Sequence, residues 1–115
     1  MPSIRILPRL RVVFGRNVAL GPGKVELLEH IVRTGCLRKA AAAMEMSYMR
    51  AWMLVQTMNR CFKKPLVVTK RGGAKGGTAV VTDEGRAVLA LYRRMEAESL
   101  RAVRSARKEL SNYLR

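Results

Sequence analysis

The chain has 115 residues, enough for one domain with a modest core, and its 49% hydrophobic and 27% charged residues exclude a disordered composition. No run of about 18 apolar residues occurs, which excludes a membrane-spanning helix, and the arginines threaded through "MPSIRILPRLRVVF" break up any signal-peptide core, so the expected compartment is the cytoplasm. Twenty-three Lys and Arg oppose eight Asp and Glu, a net charge of +15 and a pI near 11.3, and such an excess implies a polyanionic partner, either nucleic acid or an anionic membrane surface.

In chain order, "LRVVFGRNVALGPG" reads as a β-hairpin: a β-branched run from Leu10 to Phe14, a turn at Gly15-Arg16-Asn17, then Val18 to Leu20. Gly21-Pro22-Gly23 marks a break. "KVELLEHIVRTG" carries Val25, Leu28, Ile31 and Val32 at helical spacing and is closed by Gly35 as a C-terminal cap. "CLRKAAAAMEM" is a short second helix whose alanines at 40 to 43 favour helix and allow close packing. Ser47 is the expected N-cap of a third helix running to about Phe62. Its apolar stripe is Tyr48, Ala51, Trp52, Val55, Met58 and Phe62, which assigns Trp52 to the core. The opposite face carries Met49, Arg50, Met53, Thr57 and Arg60.

After Pro65 the period changes. "LVVTK" and "TAVVT" are strand-like runs joined by "RGGAKGG", giving a hairpin with a basic, glycine-rich tip. Thr82 then caps a fourth helix, with Asp83 and Glu84 in the first turn where the helix dipole favours them. That helix runs towards Tyr113, about 30 residues and roughly 45 Å if unbroken. Its stripe includes Val88, Tyr92, Met95, Ser99, Val103, Ala106, Leu110 and Tyr113, weak at Ser99 and Ala106 where a break is allowed. A stripe of that length exceeds what one small domain can cover, so Val88, Tyr92, Met95, Val103 and Leu110 are assigned to a seam with a second chain.

The charge is concentrated. Arg5, Arg9, Arg11, Arg16 and Lys24 precede the first acid, Glu26, and between Glu45 and Asp83 there is none, while Arg50, Arg60, Lys63, Lys64, Lys70, Arg71 and Lys75 fall in that interval. That is the pattern of a phosphate footprint. Three helices followed by a β-hairpin is the element order of a winged helix-turn-helix, in which the third helix enters the major groove. The DNA-binding set is then Ser47, Tyr48, Met49, Arg50, Met53, Thr57 and Arg60 on the helix, with Lys70, Arg71, Lys75 and Thr78 on the hairpin. Arg50 is the base reader, since a guanidinium donates two hydrogen bonds to guanine O6 and N7. The blander assignments are a plain cap for Ser47, a half-buried core aromatic for Tyr48, and a solvated helix end for Arg60, Lys63 and Lys64.

Other chemistries find little support. Cys36 and Cys61 read as reduced thiols, and with His30 they match no zinc spacing. "RGGAKGGT" lacks the order of a P-loop. The methionines at 44, 46, 49, 53 and 58 suit gap-filling between helices better than a Cu(I) site. One histidine and a few scattered carboxylates assemble no acid–base pair or nucleophile, so neither an enzyme nor a cofactor is expected.

"GPGKVELLEHIVRTGCLRKAAAAMEMSYMRAWMLVQTMN" and "PLVVTKRGGAKGGTAVVTDEGRAVLALYRRME" resemble the N-terminal DNA-binding domain of the ModE family of molybdate-responsive regulators, itself similar to the helix-turn-helix of LysR-type regulators. The resemblance covers about residues 10 to 97. It is carried by the Gly-Lys opening of helix one, "SY-x-RAW", "MN" near the end of helix three, "PLV", "GGxxGG" and "T-x-x-G". It implies a homodimer on a palindromic operator, with Ser47, Tyr48 and Arg50 on the recognition helix and a wing at Arg71 to Thr78. Met49 stands where the family usually has lysine, and Cys36 where a serine is common. The expected organisation is α+β and mainly helical, with a DNA-binding unit over 1–82 and a dimerisation helix over 83–115. Nothing after Arg115 supplies the family's molybdate-binding domains, so the expected form is a stand-alone short regulator with double-stranded DNA and a second copy as partners and no membrane attachment. The alternative is a basic architectural protein that holds DNA through phosphates with little sequence preference, and a third reading places the basic last helix on a membrane surface.

Overall fold

A computed structural model describes residues 3–70 and 77–115. The described elements are β1 (Val12–Phe14), β2 (Asn17–Leu20), α1 (Pro22–Thr34), α2 (Leu37–Ala43), α3 (Tyr48–Cys61), β3 (Val67–Lys70), β4 (Thr78–Val81), α4 (Asp83–Ala102) and α5 (Arg104–Ser111). The two sheets are separate antiparallel hairpins, β1–β2 and β3–β4, so the organisation is α+β and mainly helical.

Local chemistry sets most boundaries. The first turn uses Gly15 at φ 63, and a bulge between Val12 and Val13 shifts the β1–β2 register. The Gly-Pro-Gly stretch starts α1 instead of merely separating elements. Gly21 is its N-cap and Pro22 occupies the first helical position, where the missing N–H has no intrahelical partner to lose. Gly35, left-handed at φ 65, closes α1 by donating to the Ile31 carbonyl (2.8 Å). α2 closes differently: Glu45 takes the left-handed conformation (φ 55), and Met46 N–H reaches back to the Ala41 carbonyl (3.0 Å). A non-glycine residue in that region costs about 1–2 kcal/mol, and it gives the tight four-residue turn between α2 and α3.

The core is a single apolar cluster built from all the helices except α5 and from β2, β3 and β4. Among the described residues no polar or charged residue is buried in it. α3 buries Ala51, Val55 and Met58, and α2 buries Leu37, Ala40 and Ala41. The alanines let α2 and α3 approach closely, and a larger side chain there would overpack the interface.

Three assignments change on folding. Trp52 lies on the flank of α3 and is 38% exposed; the buried stripe is narrower than its periodicity suggests. The last long helix is interrupted at Val103, between the two weak points of the stripe, just after Ser99 donates its hydroxyl to the Met95 carbonyl (2.8 Å), a back-bond that bends helices. The core also does not stop at residue 82. Tyr92 is 1% exposed, Val88 packs half-buried against the same cluster, and the Tyr92 hydroxyl donates to the Leu10 carbonyl (2.8 Å). Those two side chains serve the fold of their own chain and are not free for a seam. Burial, reinforced by Glu96, raises the Tyr92 hydroxyl pKa above the usual tyrosine range.

The β3–β4 hairpin is tied down at its base. The Asn59 side chain, near the end of α3, accepts from Leu66 N–H (2.9 Å) and Val67 N–H (3.2 Å) and donates to the Val67 carbonyl (2.9 Å). Thr82 N–H donates to the Leu66 carbonyl (2.9 Å). The Thr82 hydroxyl donates to Pro65 (2.8 Å) while accepting from Gly85 N–H (3.0 Å). A Cβ on Gly85 would stand 2.3 Å from the Leu66 carbonyl oxygen, so only glycine fits. On the other edge, Ala79 N–H donates to the Gly35 carbonyl (3.0 Å).

Asn59→Ala is expected to destabilise the fold by about 1–3 kcal/mol, because it strands backbone groups at the start of β3. Asn59→Asp, which keeps both acceptor bonds, should lose less. Equal denaturation midpoints for wild type and Asn59→Ala would show that these bonds hold nothing.

Candidate nucleic-acid interface

The site is built on α3 and the hairpin beside it. The helix starts where Ser47 leaves extended backbone and its Oγ accepts from Arg50 N–H (3.1 Å). Ser47 is therefore occupied as a cap. From that start Met49, Arg50 and Met53 stand on the outer face, with Met49 61% and Met53 58% exposed. Large exposed apolar side chains flanking an arginine suit contact with a partner better than contact with water.

Tyr48 and Trp52, one turn apart, line a small notch with Leu37, Thr69, Lys70, Gly77 and Thr78. Lys70 and Thr78 face each other in the β3–β4 register. The notch thus joins the N-terminal half of α3 to the hairpin and gathers Tyr48, Lys70 and Thr78 in one place. From the other side, the Arg38 guanidinium of α2 lies 5.3 Å from the Tyr48 ring centre, a cation–π contact that holds the ring.

The remaining residues of the predicted set divide. Thr57 is half-buried and Arg60 exposed, joined by a long Arg60 Nη2 to Thr57 Oγ1 bond (3.5 Å). They lie seven and ten residues on from Arg50, roughly 10 and 15 Å along the axis, and are not brought to the notch. Arg71 and Lys75 fall outside the described residues. Of the residues assigned to a seam, Met95 on α4, Val103 at the break and Leu110 on α5 are exposed, as are Leu91, Leu100 and Leu114, whereas Val88 and Tyr92 are not.

Two contributors escape the apolar periodicity: Trp52, hidden because its spacing also fits the core, and Arg38, which approaches Tyr48 from another helix. A tyrosine and a tryptophan four residues apart on one helix flank is the signal that the pair exists.

Electrostatically, five of the described acids are paired, with partners outside this face. Arg93 sits between Glu29 of α1 and Glu96 of α4, which hold its guanidinium more firmly protonated. Arg94 pairs with Glu98 (3.0 Å), and Lys64 lies 3.8 Å from Glu84. Glu45, in the turn before α3, is the one acid between Glu29 and Asp83. Arg38, Arg50 and Lys70 enter no salt bridge among the described residues. A surface of that kind attracts and positions phosphates.

No protein-family model matches the chain. Among known proteins it is similar to the molybdenum transport protein ModE of Azotobacter vinelandii, 39% identical over 98 residues, 85% of this chain and 36% of that protein. The molybdenum-pterin-binding protein MopB of Rhodobacter capsulatus is 39% identical over 101 residues, 87% of this chain and 37% of that one. The DNA-binding transcriptional dual regulator ModE of Escherichia coli K12 is 35% identical over 71 residues, 62% and 27% of the two chains. The chain is thus homologous to ModE- and Mop-named proteins over most of its own length and spans about a third of theirs.

Because Trp52 is the sole tryptophan, its surroundings can be read directly. Acrylamide should quench the native protein's emission at an intermediate rate; quenching as slow as that of a fully buried indole would return the ring to the core.

Proposed function

We propose that this chain is a DNA-binding transcription regulator of the ModE type, with α1 to α3 and the β3–β4 hairpin forming a winged helix-turn-helix. In this reading α3 enters the major groove, with Arg50 donating to a guanine edge and Met49 and Met53 offering apolar contact to thymine methyl groups. Tyr48, Lys70 and Thr78 meet the adjacent backbone, as do Arg71 and Lys75 of the wing. Arg60 and Thr57 meet phosphate further along. The observation that carries the reading is the joint placement of an N-capped helix with an exposed Met49–Arg50–Met53 face and a basic hairpin across one notch. The regulator and DNA-binding names of relatives point the same way.

The partner copy would use the exposed residues Met95, Val103 and Leu110 of α4 and α5, giving a homodimer whose two recognition helices read a palindromic site. The reading makes the protein a cytoplasmic binding protein and not an enzyme. Molybdenum appears in the names of several relatives, and a molybdenum-linked signal is the natural one to test. The rival reading, an architectural protein without sequence preference, draws on the net charge of +15 alone.

In vitro selection of bound duplexes decides between the two readings: enrichment of a palindrome supports the regulator, and an unenriched pool supports the architectural protein. On a selected site Arg50→Ala should cost about 1–3 kcal/mol and relax preference at one base position. Lys70→Ala should weaken binding to all sequences and reduce the steepness of the salt dependence by about 0.9 in log–log slope. An unchanged site preference for Arg50→Ala would remove Arg50 from the groove. Leu110→Asp should raise the dimer dissociation constant, measured by sedimentation; an unaltered dimer would place the seam elsewhere.

A further inference from the structure

The arginines at the far end of the molecule have no task in the reading above. Arg101, Arg104, Arg107 and Lys108, with Ser105 and Ser111, line a groove of about 670 Å³ between α5 and the N-terminal segment at Ile4. Four cations and two hydroxyls face it, and no carboxylate does. Arg107 Nη2 donates to the Ile4 carbonyl (2.6 Å), which fixes the segment against the helix. Arg5 continues the basic rim on the neighbouring side. Arg101, Arg104 and Lys108 enter no salt bridge among the described residues.

The helix divides cleanly around its axis. At 3.6 residues per turn, Arg104 and Lys108 of α5 fall on one side and Ala106 and Leu110 on the other, with Arg107 at the border towards Ile4. A second copy seated on the apolar side leaves the cationic side open. From Arg101 to Lys108 the cations follow one another over roughly 10 Å, a linear array that matches successive backbone phosphates better than a compact ligand.

We propose that α5 and the N-terminal segment form a second duplex-binding surface, which holds the phosphate backbone of DNA through Arg101, Arg104 and Lys108. The nature of the occupant rests on the DNA-binding reading; the location does not. α5 begins roughly 30 Å along α4 from the base of the hairpin, so the DNA held there is a flanking or second segment and not the base pairs under α3.

The test uses the full chain and a mixed-sequence 40-base-pair duplex. The photo-crosslinker p-benzoylphenylalanine replaces Ser105, Leu110 or Met49 in separate proteins. Expected are duplex adducts from positions 105 and 49 and protein–protein adducts from position 110. Duplex adducts at 49 with none at 105 overturn this inference and leave the recognition helix standing. Adducts at 105 with none at 49 keep this surface and remove the other. In parallel, the combined substitution Arg101→Gln, Arg104→Gln and Lys108→Gln should make the log–log salt slope shallower by about 2–3. An unchanged slope, or flotation with phosphatidylserine vesicles in place of duplex adducts at 105, would also overturn it.

Discussion

The short amide of Asn59 holds the two halves of the proposed reading surface in one frame. Its three bonds to Leu66 and Val67 convert the end of α3 into the beginning of β3. Thr82 takes up the Leu66 carbonyl from the other strand while its hydroxyl caps α4. Gly85 leaves room for that carbonyl. The Leu66–Val67 backbone is thus the common point of a helix end, a hairpin base and the next helix start, so the angle between α3 and the hairpin is set by hydrogen bonds with little freedom to drift. An interface that must meet two grooves together needs that rigidity.

The charge distribution complements the frame. A net charge of +15 repels itself and lowers the stability of the compact state. Two of the acids also join elements, Glu29 by reaching from α1 to Arg93 of α4 and Glu84 by pairing with Lys64. Exposed pairs such as Lys64–Glu84 add little, well under about 1 kcal/mol each. Stability comes instead from an apolar core without a buried charge among the described residues. The cations around α3 are then free for a partner, with the left-handed Glu45 as the local exception.

Much of the fold is written locally. Gly35, Ser47 and Thr82 end or begin helices through interactions spanning a few residues, and each stands where its spacing predicts. The misplacements are tertiary. Trp52 matches the core period, but the buried arc of α3 is filled by Ala51, Val55 and Met58, which leaves the indole on the flank. Tyr92 lies on a real apolar stripe, and a stripe does not say whether its own chain or another covers it. Here the N-terminal segment does. Asn59 stood out only as part of a family motif, because its partners lie beyond the helix end. Of the proposed interface, the outer face of α3 and the hairpin carrying Lys70 and Thr78 were legible, whereas the register that pairs them and the notch that links them to α3 need three dimensions.

The clasp between the two ends of the chain also bears on the order of folding. Leu10 is bound by Tyr92 and Ile4 by Arg107, so residues made early wait for residues made late. While a ribosome is still extending the chain, α1 to α3 can pack and Leu7 to Arg9 can lie along α1, yet the two bonds that fix Leu10 and Ile4 wait for α4 and α5. Closing those two bonds therefore waits for Tyr92 and Arg107 to be made, and protection of the leading segment is a late mark of the folding of residues 3–115.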